Sequence, residues 1–524
     1  MLDKLLLYYH TVKFLKWKQI RYRLFYFIKN RIFRRKIKHH QINSGISALK
    51  LQPIPSSKIV YFGNQEFEFL NINKKFKKNI DWDFNEFGKL WTYNLNYFNF
   101  LNQENICPED AKYLITKFAS NINNNLNGLE PYPLSLRIKN WVIYASVHQI
   151  DISEFDNVLF SQTLLLKKNI EYHLLGNHLL ENGFALIFAS YYFRNKDLYL
   201  TAKILLEEEL KEQILDDGGH FELSPMYHKI LFKGVLDIYN LISNNTIFYD
   251  EKFLYFINNI SVKMMSWLRN VTFSNGETAL FNDCANNISL TFRELEGYSI
   301  SLGIDEISLN LSDSGYRMHK CSKYEILVDV GEIGPSYQPG HGHCDISNFS
   351  LVCNNHFVIV DTGTSTYENN ERRNIERSSI SHNVITLSGF EQSEVWGSFR
   401  VGRKAKVKLL SDTDALVKVE YKPFSFKCTQ IQREFYFESE ELIITDTIEG
   451  NKDIPAQLNF HFYPGVNINI YDNVLTTDYF SLEFNNAENI DVENYFFAPE
   501  FNTLIEAQKV VVNFKNRVES IFRF

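Results

Sequence analysis

An all-helical half followed by a strand-rich half folded as an antiparallel sandwich is the fold class this sequence predicts. Three observations predict it. From roughly Trp82 to Leu311 the apolar residues recur at helical spacing. From Gly315 onward they alternate in short runs separated by Asn, Asp and Gly turns, the pattern of half-buried strands. The chain, at 524 residues, is also too long for one ordinary core. The expected organisation is a basic aromatic segment over 1–45, a helical domain over 46–312 and an antiparallel β-domain over 313–524.

The amino terminus is unusual. Between Lys4 and Lys38 it holds twelve Lys and Arg and no Asp or Glu, interleaved with aromatic residues such as Tyr8, Phe14, Trp17, Tyr22, Phe25, Tyr26 and Phe27. It lacks the apolar core and small-residue cleavage site of a secretory signal, so it is expected to be retained. Two readings are open: helices whose aromatic side packs on the main domain, or a peripheral contact of residues 4–38 with an anionic membrane face. The first is preferred.

Helical periodicity then predicts about seven to ten helices, over Ala111 to Ile122, Leu134 to Gln149, Asn157 to Tyr172, His178 to Phe193, Asp197 to Leu215, Lys229 to Ile242 and Glu251 to Leu268. Strands are expected over Tyr324 to Val330, Phe349 to Val360 as a hairpin turning at Asn354-Asn355, and Asn383 to Leu387. Others follow at Lys404 to Leu410, Ala415 to Tyr421, Ile431 to Phe437, Glu441 to Ile448, Ala456 to Phe462 and Val510 to Asn513. A helical half joined to a β half places a cleft at their junction.

Composition narrows the function classes. Apolar content of 45% and charged content of 22% are those of a globular protein. A net charge of −7 argues against a general nucleic-acid binder. No apolar run reaches the roughly twenty residues a membrane-spanning helix needs. Cys107, Cys284, Cys321, Cys344, Cys353 and Cys428 are scattered without paired spacing and read as free thiols. They favour a reducing compartment, so a cytoplasmic or membrane-associated location is expected ahead of a periplasmic one.

The chemistry concentrates between Gly340 and Asn383. His343, Asp361 and His382 are suitable ligands for a divalent metal, and His341 is left over for catalysis. The hairpin predicts that His343 and Asp361, at its outer ends, are neighbours. His341 and His343, two apart, share a side if the chain is extended. His382 opens a further strand that completes the set if it lies beside the hairpin.

Two places in the helical half can face this cluster. Asn177 precedes an apolar helix and reads as its N-cap. Ser224-Pro225 is a strong helix start, with Ser as cap and Pro first. Tyr227 then falls in the first turn, where the helix dipole favours an anion.

The order Asn177-His178, Ser224-Pro225-x-Tyr227-His228, His341-x-His343-x-Asp345, Asp361-x-Gly363 and His382-Asn383 resembles the heparinase II/III family of polysaccharide lyases. Tyr337 to His343, Asp361 to Tyr367, Ser393 to Arg403 and His10 to Leu15 are similar to members encoded among bacterial capsule and O-antigen genes. The resemblance implies an incomplete (α/α) toroid joined to an antiparallel β-sandwich, and β-elimination of an acidic, uronic-acid-containing polysaccharide. It implies a divalent metal, zinc first, held structurally by His343, Asp361 and His382. Asn177, with His178 beside it, matches the residue that neutralises the substrate carboxylate, and Tyr227 and His341 match the catalytic pair.

Removing the proton beside a carboxylate builds charge that an amide and a nearby cation can stabilise, with Tyr227 or His341 as base. Glu222, Arg372 and Arg377 are expected to contact substrate, Arg372, Arg373 and Arg377 by gripping acidic groups bidentately. Two alternatives stay open: a hydrolase using Glu222 or Asp345, and a non-catalytic glycan-binding or assembly factor.

Overall fold

Helices fill the chain as far as Ser301 and strands dominate from Tyr316. The structure is a computed structural model. It describes every residue except 1, 33–35, 39, 43–45, 47, 149–152, 338, 389, 425–428 and 451–454. Gln338 and Cys428 therefore lie outside the described residues, whereas Cys107, Cys284, Cys321, Cys344 and Cys353 are free thiols, as expected.

The helices are α1 (Leu2–Val12), α2 (Trp17–Ile32), α3 (Lys89–Tyr97), α4 (Pro108–Asn121), α5 (Pro131–Val147), α6 (Asp156–Lys167), α7 (Gly176–Tyr192), α8 (Lys196–Gln213), α9 (Pro225–Asn244), α10 (Glu251–Asn270) and α11 (Phe292–Ser301). Helix α7 is apolar nearly all round and buried along almost its whole length, the pattern of a core helix. It packs against α5, α8 and α9, and α10 packs on α9. Helices α3 and α11 and a small hairpin, β1 (Glu66–Phe69) with β2 (Ile72–Lys75), were not anticipated by periodicity.

Four strands, β3 (Tyr316–Lys320), β4 (Tyr324–Asp329), β5 (Phe349–Cys353) and β6 (His356–Ile359), form one antiparallel sheet in chain order. The hairpin turns at Asn354 and Asn355, both at positive φ, as a tight two-residue turn requires. After α12 (Glu371–Glu376) come β7 (Ile385–Leu387), β8 (Val395–Trp396), β9 (Arg400–Val401), β10 (Lys406–Asp412), β11 (Leu416–Lys422), β12 (Gln430–Phe437), β13 (Glu441–Glu449), β14 (Ala456–His461), β15 (Asn469–Tyr471), β16 (Val474–Thr476), β17 (Ser481–Phe497) and β18 (Ile505–Arg523). The larger sheet runs β10-β11-β12-β13-β18-β17-β16-β15, with β14 bridging β18 and β7.

The small sheet is the middle layer. Ile326, Val328 and Leu351 face the large sheet and share its apolar core, while Leu327 and Val352 join the helical core on the other face. This explains why β4 and β5 are buried at every position rather than at alternate ones. Loops at one edge of this layer lie against the N-terminal ends of α7 and α9.

Helices α1 and α2 pack on the body, in agreement with the preferred reading of the segment, but α2 does so with a polar face. Gln19, Arg23, Tyr26 and Lys29 donate to the carbonyls of Leu174, His173, Ile170 and Lys168. Trp396 Nε1 donates to Thr11 Oγ1, which fixes α1 to the β-domain.

Candidate functional site

A cleft of about 1180 Å³ opens where the two halves meet, and Asn177, His178, Glu222, Tyr227 and His341 all line it. Backbone strain sets its first wall. Leu175 has φ 64° and Gly176 φ 59°, so the chain turns sharply into α7, and a side chain at Gly176 would fall on the Glu222 carboxylate. Leu175 occupies the N-cap position and Asn177 lies in the first turn. The N-cap reading of Asn177 is therefore corrected: the turn begins the helix earlier and frees its amide. Asn177 Nδ2 donates to Glu222 Oε2 at 3.0 Å and lies 3.4 Å from His341 Nε2, while its backbone N donates to Glu222 Oε1 at 3.2 Å.

The second helix start behaves as read. Ser224 Oγ accepts from Tyr227 N and Pro225 is the first helical residue; Ser224 also donates to the carbonyl of Asp283 at 2.6 Å. Tyr227 thus stands over the His341 ring, with centroids 4.1 Å apart. Its hydroxyl is 3.2 Å from that of Tyr367. Burial, then the proximity of Tyr367 and Asp283, holds this phenol well above its ordinary range, so it is protonated.

Asp283, which sequence reasoning missed, organises the centre. Its Oδ2 lies 2.8 Å from His341 Nδ1 and its Oδ1 lies 2.9 Å from His343 Nε2. Arg373 grips both oxygens, at 2.7 Å for Nη2 to Oδ2. Burial opposes ionisation of Asp283, but Arg373 and the two imidazoles outweigh it and hold the carboxyl well below the usual range. With Asp283 ionised, His341 donates from Nδ1 and turns an unprotonated Nε2 toward the cleft. The two histidines do share a side, but in a loop rather than on a strand.

Behind Asp283 lies a buried cluster. Asp345, Asp361 and His382 each offer a ligand atom within 4.8 Å of the others. His382 Nδ1 meets Asp361 Oδ2 at 2.7 Å, and Asn348 donates to the same oxygen at 2.6 Å. His382 Nε2, Asp345 Oδ2 and His343 Nδ1 are buried without a hydrogen-bond partner. Unpaired acceptors of this kind are costly unless something occupies the space between them. Burial, with Asp361 adding to it, pushes the Asp345 carboxyl up to about 6, while burial pushes His343 down to about 4. His382, whose Nδ1 is tied to Asp361, together with the Asp345 and Asp361 carboxylates forms a donor set of the kind that fits a divalent cation.

The hairpin therefore brings Asp345, rather than His343, into the group with Asp361. His343 stands alongside, its ring 5.4 Å from that of His382. Strand β7 does not complete the set by lying next to the hairpin, because it pairs with β14. Asn383 does that work instead, donating to the carbonyls of Phe349 and Val360 at the hairpin's ends.

The arginine expectations are corrected. Arg377 is buried and donates to the carbonyls of Gly342 and Gly397. Arg373 is buried on Asp283, and Arg372 is taken up by Glu376 and the carbonyl of Phe496. None of the three lines the cleft. Each satisfies backbone or carboxylate oxygens that burial would otherwise leave bare. Asp345, named for hydrolysis, is likewise buried away from the cleft.

His178 sits at the rim, with Nδ1 3.2 Å from Glu171 Oε1 and its ring 4.4 Å from that of Tyr132. Burial opposes its charge, but Glu171 outweighs burial and raises its pKa. The shift favours the cationic form of His178 beside Asn177.

Fold and cleft together define a helical domain joined to an antiparallel β-sandwich, with a polar cleft at their junction. Two family models match, "Heparinase II/III N-terminus" over residues 136–299 and "Heparinase II/III-like, C-terminal" over residues 305–524. The chain belongs to the heparinase II/III-like family. A heparin-sulfate lyase from Bacteroides stercoris is 23% identical over 368 residues, 64% of this chain and 52% of that protein, so the chain spans about half the length of the curated relative it matches. Among solved structures, heparinase III superposes with a TM-score of 0.66 at 15% identity, over 86% of this chain and 80% of that one. Heparan sulfate lyase HepC from Pedobacter heparinus gives 0.57 at 16%, over 95% and 87%. These likenesses bear out the incomplete (α/α) toroid followed by an antiparallel β-sandwich.

Proposed function

We propose that the protein is a polysaccharide lyase that cleaves an acidic, uronic-acid-containing polysaccharide by β-elimination. The observation that carries the reading is the convergence, in one cleft, of the Asn177 amide, the Tyr227 phenol and the His341 imidazole on groups from both halves of the chain.

A uronate seated with its carboxylate against Asn177 and His178 has the negative charge that develops on proton loss met by an amide and a cation. His341 Nε2 takes the C5 proton, the C–H electron pair forms the C4–C5 double bond, and the C4–O bond breaks. The phenol of Tyr227, kept protonated by its surroundings, gives its proton to the departing oxygen. His341, in ring contact with Tyr227, is placed to restore that proton, which closes the cycle without an external acid. Glu222, held on Asn177, orients the amide.

Asp345, Asp361 and His382 would hold a divalent cation, zinc first, with His343 alongside. Bound there, it would supply positive charge to a buried acidic cluster and brace the loop carrying His341. Supporting this are the three unpartnered buried atoms and the chemistry of the donor set.

The cleft's own charge points to the substrate class. Among the described residues its lining contains nine Glu, five Lys and no Arg. Dense sulfation would set like charges against these carboxylates, so the substrate is a polymer with spaced carboxylates and little sulfate. A surface polysaccharide of the producing cell meets this description.

Tyr227→Phe and His341→Ala test the reading. Each is expected to lower turnover about a thousandfold while the melting temperature stays within a few degrees. Wild-type turnover in both variants would overturn it, and a wild-type protein that binds uronic-acid polymers without cutting them would leave a glycan-binding role.

A further inference from the structure

Helix α2 is amphipathic in the wrong direction for a helix lying on a protein. Its polar face is turned inward, where Gln19, Arg23, Tyr26 and Lys29 cap backbone carbonyls between residues 168 and 174. Trp17, Leu24, Phe25, Ile28 and Ile32, spaced at helical intervals, form the outward face. Trp17 is 75% exposed, Leu24 62% and Ile32 65%. Helix α1 also exposes Leu5 and Tyr9. Solvent-facing apolar residues are normal singly, but a contiguous set on one helix face marks an interaction site.

The charges on this face identify the occupant. Lys16 and Lys18 turn to Glu212 and Glu209 on the body. Lys4, Lys13, Arg21 and Arg31 make no ion pair among the described residues, and no Asp or Glu occurs between Lys4 and Lys38. Apolar side chains flanked by Lys and Arg, with aromatic rings among them, match the interface of an anionic bilayer, into which the apolar face dips while the basic groups meet headgroups. A second copy seated face to face would oppose its own positive charge.

We propose that the outward face of α1 and α2 docks this protein on the surface of an anionic lipid bilayer. The same segment touches the cleft's rim: Leu174 and His173, which α2 holds, line it, and Lys16 Nζ, in the link between α1 and α2, lies 4.2 Å from the ring centre of Tyr337, another lining residue. Docking therefore places the cleft close to the bilayer, within reach of a polymer growing from or tethered to that surface. No described helix is long and apolar enough to span a membrane, so the attachment is peripheral.

Sedimentation of the full chain with vesicles tests the proposal. One set is phosphatidylglycerol mixed with phosphatidylcholine and the other is phosphatidylcholine alone. The wild-type chain is expected to sediment with the anionic vesicles and to be released by high salt. Arg21→Gln with Arg31→Gln is expected to weaken partitioning about five-fold per charge removed. Leu24→Ser with Ile28→Ser is expected to weaken it at least tenfold, with unchanged thermal melting in both variants because these side chains face away from the body. Equal partitioning onto both vesicle types, no partitioning at all, or a dimer in light scattering that Leu24→Ser with Ile28→Ser dissolves would each overturn it. The last result would assign the face to a second copy.

Discussion

The two sides of Asp283 use the same residue types to opposite ends. Toward the cleft, the side chains of His341, Asn177 and Tyr227 are held by one or two hydrogen bonds each and line open space. Away from it, Arg373, His343, Asp345, Asp361 and His382 are wholly buried, and their charges are satisfied by one another or left facing a closed interior. A shared carboxylate thus separates groups available for chemistry from groups that fix where the chemistry stands.

The largest effect that would sharpen this contrast comes from Asp283→Asn. It leaves the Arg373 guanidinium buried without a counter-charge, and breaking such a pair costs about 3–5 kcal/mol. Denaturant unfolding should show that loss, and a stability within 1 kcal/mol of wild type would mean that the charge network is not closed. Asn at this position also no longer fixes the His341 tautomer, so turnover should fall with it.

The proposed metal site ranks next. Chelator treatment is expected to lower the melting temperature by several degrees, and His382→Ala should remove that response. Metal analysis of the purified protein should find a divalent ion at one per chain. An unchanged melt with no ion present would return the buried cluster to a purely hydrogen-bonded role.

The local parts of this architecture were legible in the sequence. Ser224-Pro225 marked a helix start because capping is decided within four residues, and Asn354-Asn355 marked a hairpin for the same reason. Asn177 was misread because its neighbours Leu175 and Gly176 take positive φ, a choice enforced by packing on Glu222 rather than by the local pattern. Only Gly176 hinted at it. Asp283 and Arg373 lie 90 residues apart in the chain with no motif around either, so their pairing belongs to tertiary structure alone. The long ribbon β17 and β18 was mostly missed because much of β17 is exposed on both faces and lacks an alternating apolar row.

The smallest effect is a dependence on pH. The pKa of His178 is raised by Glu171 against the effect of burial, so its charge is present below that raised pKa and lost as pH climbs through it. KM for a uronate polymer is expected to rise about five- to tenfold across this step, and His178→Gln should flatten the rise. A KM that is level with pH in the wild-type enzyme would remove His178 from carboxylate binding.

The most direct measurement is the chemistry of the products. Incubated with lightly sulfated and unsulfated uronic-acid polymers, the protein is expected to release fragments that absorb in the near ultraviolet and whose masses sum to that of the polymer with no water added. Heavily sulfated chains should be cut more slowly. Fragments that are saturated and each heavier by the mass of one water would contradict the account, because they would show that the bond is hydrolysed and that Tyr227 and His341 serve a different reaction.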